Sequence, residues 1–470
     1  MVLYSFVCFV LLFTIVGLLS SLKKTNNVKD YVMASNDTSP WLLGLSTFAT
    51  NNSGFMFTAI IGYAYTVGLS AIWITFPWIL GDLLASYMFM NKIYKLSSQN
   101  NALTYLDILT KNNNTNYRYL RIIGGIIIII FLGVHSSAQF KATSYAFHSL
   151  VNWDIKSGAI LTSFIVLVYC FSGGIRASIW TDLVQSILMF ISMLILCVVA
   201  IDYIGGFSVF WSKINKVSID YMSFFPKDIK FGAFWGGLFV ILGYIVGGAG
   251  IVGQPHLVIR YMSMRNSKDI NKLRLAYYGG YTLFAILVFC VAFCTKILMP
   301  NVLDGAKEFL LFDLANSLLP SVLVGIVLAG LFSASVSTID SQVLSCSSTI
   351  INDLGFGKKG NIYLYNKLGT LFVVLTALGM SLYNSNSIFD IVFSAWSVLS
   401  CAFAPLIILQ ALNKQISEKF SFIIMIISLC VMYIWYALGW ANILYEVAPG
   451  VFFGLLSYVV LNKFNLKILK

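Results

Sequence analysis

WLLGLSTFATNNSGFMFTAIIGYAY, residues 41–65, is apolar enough and long enough to cross a bilayer, yet it carries Asn51-Asn52-Ser53-Gly54 at its centre. A continuous spanning helix needs roughly 20 apolar residues. Polar, helix-weakening residues at its middle make sense where the backbone turns inward and offers carbonyls and amides to a ligand instead of to lipid. A second apolar run, 232–251, carries Gly243, Gly247, Gly248 and Gly250. Between the two lie enough apolar segments for each to open one half of a repeated bundle. Paired interruptions at matching positions point to an inverted-repeat transporter with its site near the membrane midplane. Glycines alone also serve close helix packing; it is the pairing that favours a functional break.

The rest of the chain agrees. Its 470 residues are 59% hydrophobic and only 10% charged, where soluble domains carry about 25% charged residues, and its mean hydropathy is +0.85. About thirteen apolar segments are expected, near 2–22, 41–65, 69–94, 119–147, 155–172, 177–204, 232–251, 277–296, 318–351, 362–382, 388–411, 420–438 and 446–462, each read as a helix because lipid offers no other backbone partners. The fold class is therefore an all-α polytopic membrane protein, forming one transmembrane domain over 1–470. Met1–Ser21 has no basic residue before its apolar run, and Lys23 and Lys24 follow it. That order predicts an uncleaved first helix rather than a signal peptide.

A net charge of +12 invites a nucleic-acid reading until the charges are placed. Roughly 22 of the Lys and Arg residues fall in loops assigned to one side, among them Lys23, Lys24, Arg121, Arg176, Arg260, Arg265, Arg274, Lys358, Lys359, Lys467 and Lys470, with Lys141 inside a helix. This positive-inside bias puts the N-terminus outside and the C-terminus in the cytoplasm. It excludes a basic face and names the lipid bilayer, not nucleic acid, as the surrounding partner. The eight cysteines lie in apolar stretches, without the spacing of a metal site.

Enzyme signatures are absent. Gly248-Ala249-Gly250-Ile251-Val252-Gly253 matches GxGxxG but follows no strand and belongs to no βαβ unit, and no P-loop, zinc-helix or nucleophile-elbow pattern occurs. No catalytic residue is assigned. The polar content concentrates instead in SASVSTIDSQ, residues 333–342, where Ala334, Ser337, Thr338 and Ser341 share one stripe of an apolar helix. Hydroxyls and carbonyls are hard oxygen ligands suited to a small cation such as sodium, although serine and threonine also bond the preceding turn. Asp340 sharpens the functional reading, since a carboxylate at membrane depth costs about 2.5–3.5 kcal/mol on insertion scales. Asp182 opens another span and reads either as functional or as a snorkelling end residue. Asp82 and Asp390 lie nearer span ends and receive no role. His135 and Gln139 stand one turn apart on the fourth span; His135 reads equally as a packed histidine or one that faces solute or protons.

These residues carry a resemblance. Asn100-Asn101-Ala102-Leu103-Thr104, Gly173-Gly174, Trp180-Thr181-Asp182-Leu183-Val184-Gln185, Gly253-Gln254-Pro255-His256, Ser337-Thr338, Cys346-Ser347-Ser348, Ala395-Trp396, Gly439-Trp440, Tyr445-Glu446 and Pro449-Gly450 occur in order. The chain thereby resembles the sodium/solute symporter family over nearly its whole length, and within it the bacterial sodium/proline branch. The resemblance implies a LeuT-like fold of two inverted five-helix repeats, 41–204 and 232–411, with one extra helix before and two after.

It implies a sodium ion held by backbone carbonyls of Ala49, Asn52 and Ala334 and the hydroxyls of Ser337 and Thr338. Asp182, Asp340 and Ser341, beside Ser337, form a candidate second cation site for sodium or a shared proton. The solute pocket would involve Asn51, Phe55, His135, Gly247 and Ile251. Here the sequence departs from the proline branch: an aspartate becomes Asn51 (as in sugar symporters), a tryptophan Phe55, a tyrosine His135, and two aromatics Gly247 and Ile251. The implied function is sodium-coupled import of a small organic solute by alternating access in a bacterial inner membrane, by a chain working as a monomer. Proline is the nearest named solute. A sugar, sialic acid or monocarboxylate symporter is the alternative, as is a symporter-like membrane sensor, against which the absence of a kinase after Lys470 counts.

Overall fold

The computed structural model describes residues 1–21, 28–112, 115–218, 220–225, 229–356, 362–383, 386–414 and 416–463. Lys23, Lys24, Lys358, Lys359, Lys467 and Lys470, assigned to inner loops by the charge pattern, lie outside the described residues. The described chain is helical apart from short connections and one two-residue hairpin, in which Lys111 pairs Asn116 and Asn112 pairs Thr115.

The helices that position the site are α1 (Val2–Ser21), α2 (Pro40–Asn51), α3 (Ala59–Val67), α4 (Ile72–Ala85), α5 (Arg118–Val151), α6 (Ile155–Ile204), α7 (Gly232–Ala249), α8 (Pro255–Met262), α9 (Ile270–Leu298), α10 (Ser321–Ser348), α11 (Ile362–Tyr383), α12 (Ile388–Ala411), α13 (Glu418–Ala437) and α14 (Val447–Lys463). Among the described residues ten helical stretches are long and apolar enough to cross a membrane. The thirteen expected segments map onto these once three things are recognised. Gly54–Gln99 merges the end of one span with the whole of the next, Ile155–Val168 is a shorter apolar helix ahead of Gly174–Ile204, and Val447–Lys463 is also short.

Breaks fall where the backbone chemistry allows. α6 runs through both segments expected at 155–172 and 177–204, with one kink at Gly174 (φ 58°, ψ −147°). A side chain is strained there, and a Cβ would also meet the Tyr31 carbonyl. In the interrupted stretch, Asn52 (φ −89°, ψ 64°) ends α2 and Ser53 (φ −68°, ψ −174°) is extended. The chain restarts as a single turn, Gly54–Phe57.

The second expected interruption is displaced. α7 continues as regular helix through Gly243, Gly247 and Gly248, and the helix ends only at Gly250–Gly253, a tight 3-10 turn before Pro255. The first three glycines serve contact. A Cβ at Gly243 would meet the Tyr445 amide nitrogen at 2.7 Å, one at Gly247 would meet the Tyr445 ring at 2.7 Å, and one at Gly248 would collide with the Trp78 carbonyl. Packing thus explains most of the glycine run, and the break belongs to its last members and the proline.

Burial ranks the helices. The apolar window of α1 is 17% buried, whereas that of Ser321–Asp353 is 83% buried. α10 is the central post, packed against α1, α2, α5, α6 and α11. α1 presents Leu11, Ile15, Leu18 and Leu19 outward, as an all-round apolar helix in lipid must.

Three of the basic residues that the sequence places in loops prove to be buried. Arg176 is 9% exposed, Arg274 7% and Arg260 0%. Arg176 donates from Nε and Nη2 to Asp30 Oδ1 at 3.1 and 2.5 Å. Arg274 donates to the Ser86 hydroxyl and carbonyl at 3.0 and 2.6 Å. A guanidinium has five donors in a fixed fork and can be fully satisfied by carboxylates and helix ends; sequence position alone does not separate such residues from solvated loop charges.

Candidate functional site

The break in α2 is held open by the neighbouring α5. Gln139, fully buried, accepts from the Gly54 amide at 2.9 Å and donates to the Ser53 hydroxyl at 3.2 Å. One amide side chain therefore satisfies the backbone that the helix break orphans, which is the condition for irregular backbone at membrane depth. Gly54 itself leaves no room for a Cβ between Ser335, Ala142 and Gln139.

Against this break lies the polar stripe of α10. Ser337 Oγ donates to the carbonyls of Ala49 and Ala334 at 2.9 and 3.0 Å. Thr338 Oγ1 donates to the carbonyls of Thr50 and Ala334 at 2.8 and 3.0 Å. Ala49, Thr50, Ala334, Ser337 and Thr338 are all buried. The result is a knot of neutral hard oxygens shared by two helices, a donor set that fits a sodium ion. The Thr50 carbonyl takes the place beside Thr338, a role the sequence pattern does not signal. The Asn52 side chain is engaged, with Nδ2 donating to the Phe48 carbonyl at 3.1 Å. Its Oδ1 is buried without a partner among the described residues.

One turn along α10 the chemistry changes from neutral to charged. Arg260, on α8, donates from Nη2 to Asp182 Oδ2 at 3.0 Å and to Ser341 Oγ at 2.6 Å, from Nε to Ser46 Oγ at 2.9 Å, and from Nη1 to the His256 carbonyl at 2.7 Å. Ser46 Oγ donates in turn to the same carboxylate oxygen of Asp182 at 2.5 Å. Asp340 Oδ1 accepts from Ser178 at 3.1 Å and from Ser341 at 3.0 Å. Asp182, Asp340 and Ser341 do come together, but around a guanidinium that the charge pattern assigns to a loop. Thr50 joins the two clusters, its hydroxyl lying 3.3 Å from both the Ser337 carbonyl and Ser341 Oγ.

On the other side of the break lies a narrow cavity of about 50 Å³. Thr50, Asn51, Ser53, His135 and His256 line its polar side, and Phe55, Trp78, Phe393 and Trp396 its aromatic side. Asn51 is fixed by a relay: its Nδ2 donates to Tyr277 Oη at 2.7 Å, and Tyr277 and Tyr278 donate to the two carboxylate oxygens of Asp82 at 2.5 and 2.6 Å. Asp82, fully buried, thus has the positioning role that its place near a span end concealed.

Of the five expected solute residues, Asn51, Phe55 and His135 line this cavity and Gly247 and Ile251 do not. Gly247 is covered by Trp78 and Tyr445, and its carbonyl accepts from Trp396 Nε1 at 2.9 Å; Ile251 is wholly buried in the core. Aromatics from other helices occupy the space near Gly247. Lys141 faces away, its Nζ donating to the Asn386 carbonyl.

A family model described as the sodium:solute symporter family matches residues 31–428. The chain belongs to the sodium:solute symporter family. Among curated relatives, it is 27% identical over 455 residues to the osmoregulated proline transporter OpuE of Bacillus subtilis, covering 94% of this chain and 90% of that protein. It is 26% identical to the high-affinity proline transporter PutP of the same organism, covering 93% and 92% of the two chains. The sodium/proline symporter of Salmonella typhimurium is likewise 26% identical, over 94% and 88%. Among solved structures, a sodium-coupled sialic acid symporter in a substrate-bound outward-open state superposes with a TM-score of 0.80 at 18% identity, over 98% of this chain and 95% of that one. Mhp1, a nucleobase-cation-symport-1 family transporter in a closed conformation, gives 0.57 at 11% identity over 94% and 96%. The fold is the LeuT-like one, the chain is a multi-pass membrane protein, and its family and these relatives are transporters.

Proposed function

We propose that this symporter-family chain imports a small amino acid, with proline as the reference solute, in symport with sodium. One observation carries the reading most directly: the neutral oxygen knot of Ala49, Thr50, Ala334, Ser337 and Thr338 adjoins the cavity at the helix break through Thr50, whose carbonyl belongs to the knot and whose residue lines the cavity. A cation bound by those oxygens would draw α2 onto α10 and set the cavity wall, so that sodium and solute each bind better when the other is present. Such coupling is all that symport requires thermodynamically. The inverted repeats are 41–204 and 232–411, and rocking of one against the other alternates access. The N-terminus is outside, the C-terminus cytoplasmic, the membrane a bacterial plasma membrane, and one copy of the chain suffices. Asp182, Asp340 and Ser341 form a second cation site in which Arg260 already supplies one positive charge.

The test is uptake of labelled proline into proteoliposomes under an inward sodium gradient. Accumulation that collapses when sodium is replaced by choline supports the reading. Binding of proline without any sodium-dependent accumulation would point instead to a sensor.

A further inference from the structure

The cavity wall carries two histidines to which sodium symport by itself gives no task. His135 is 4% and His256 1% exposed, and their rings meet edge to face with centroids 6.0 Å apart. Both nitrogens of His135 and Nδ1 of His256 are buried without a hydrogen-bond partner among the described residues. Leaving a buried polar atom unpaired is costly, so two imidazoles in this condition beside one cavity keep hydrogen-bonding capacity that a ligand can complete. A neutral imidazole has one donor and one acceptor nitrogen, and two of them can offer two N–H groups to one acceptor-rich group.

Charge narrows the choice. None of the residues lining the cavity is an aspartate, glutamate, lysine or arginine. The adjacent oxygen knot is neutral, so a sodium ion held there brings a positive charge beside the cavity. Behind His256, the guanidinium of Arg260 bonds its carbonyl. A carboxylate against the two histidines answers both the donors and the field. Phe55, Trp78 and Phe393 also line the cavity, with Trp78 and Phe393 centroids 5.6 Å apart, and a ligand ammonium over an aromatic face is stabilised by cation–π attraction.

Building on the proposed sodium-coupled import, we infer that His135 and His256 are the carboxylate-recognising pair of this transporter, with the aromatics that line the same cavity receiving the ammonium of a small zwitterionic amino acid. The pair therefore selects for the carboxylate rather than for side-chain shape.

The experiment is competition and thermal shift on the purified full chain in sodium, using proline, its amide prolinamide, pyrrolidine and glucose, on the wild type and on His135→Phe, His256→Phe and His135→Gln. Proline stabilising the wild type while prolinamide and pyrrolidine do so at least about tenfold more weakly, a difference of about 1.4 kcal/mol, is the expected result. Each Phe variant should raise the proline Kd about tenfold or more while sodium alone still shifts its Tm, and His135→Gln, which keeps a donor, should recover part of the loss. Equal competition by prolinamide, stabilisation by glucose but not proline, or unchanged proline binding in both Phe variants would overturn it. A Phe variant whose Tm no longer responds to sodium is replaced in the comparison by the Gln variant, whose unchanged preference between proline and prolinamide would also count against the pair. Failure of the symport reading has a different signature: no response of any ligand to sodium in the wild type.

Discussion

Two polar clusters sit one helical turn apart on α10 and solve the same problem in opposite ways. The first, around Ser337 and Thr338, is built only from neutral oxygens. The second, around Arg260, Asp182 and Asp340, is built from a guanidinium and two carboxyl groups. Neutral oxygens in a dry interior cost little to bury when hydrogen-bonded to each other, and a cation can replace those bonds with its own. Buried charges tolerate no such freedom, because desolvation is repaid only by their mutual pairing. The first cluster is suited to admitting and releasing an ion; the second ties helices α2, α6, α8 and α10 together, and a cation entering the proposed second site there must share its carboxyl groups with Arg260.

The sharpest break of this contrast is Arg260→Met, which leaves Asp182 buried without its guanidinium partner. Removing one partner of a buried ion pair costs about 3–5 kcal/mol, so thermal unfolding in detergent should drop strongly, and Asp182→Asn in the same chain should restore part of the loss. If Arg260→Met is as stable as wild type, the charged cluster is not the clamp described. Next in size is Gln139→Leu. It orphans the Gly54 amide at the helix break and should cost about 1–3 kcal/mol, with sodium-dependent uptake falling further than stability because the break itself moves.

Ser337→Ala probes the neutral side of the comparison. Stability should change by only about 0.5–1.5 kcal/mol, the net worth of a hydrogen bond, while the sodium concentration for half-maximal binding should rise on the order of tenfold, or about 1.4 kcal/mol. A stability loss without a change in sodium dependence would show that the knot is structural. The smallest expected effect is that of Asp340→Asn, which keeps shape and hydrogen-bonding capacity and alters the charge alone. It should lower the Hill slope of sodium activation or the pH dependence of uptake; if both stay unchanged, the second cation site is wrong.

How much is readable before folding depends on the kind of signal. Spans, the break at Asn52-Ser53 and the oxygens of Ala334, Ser337 and Thr338 follow from local patterns, and the structure brings them together. Arg260 is misplaced by such patterns because a charge in a short polar-flanked segment looks the same whether it meets water or a carboxylate and hydroxyls from other helices. Asp82 escapes notice for the same reason, its partners Tyr277 and Tyr278 lying 195 and 196 residues away. Gly247 suggests space for solute, whereas Tyr445 and Trp78 close over it.

What the sequence determined by itself is therefore whatever lipid enforces residue by residue: apolar length, helical form, and the few places where a helix is allowed to stop. Which polar groups meet was decided only by the packing of distant helices, because a buried hydrogen bond or ion pair depends on distances of about 3 Å that no periodicity along the chain encodes. Arg260 between Asp182 and Ser341, Gln139 under Gly54 and the facing rings of His135 and His256 are all of that second kind.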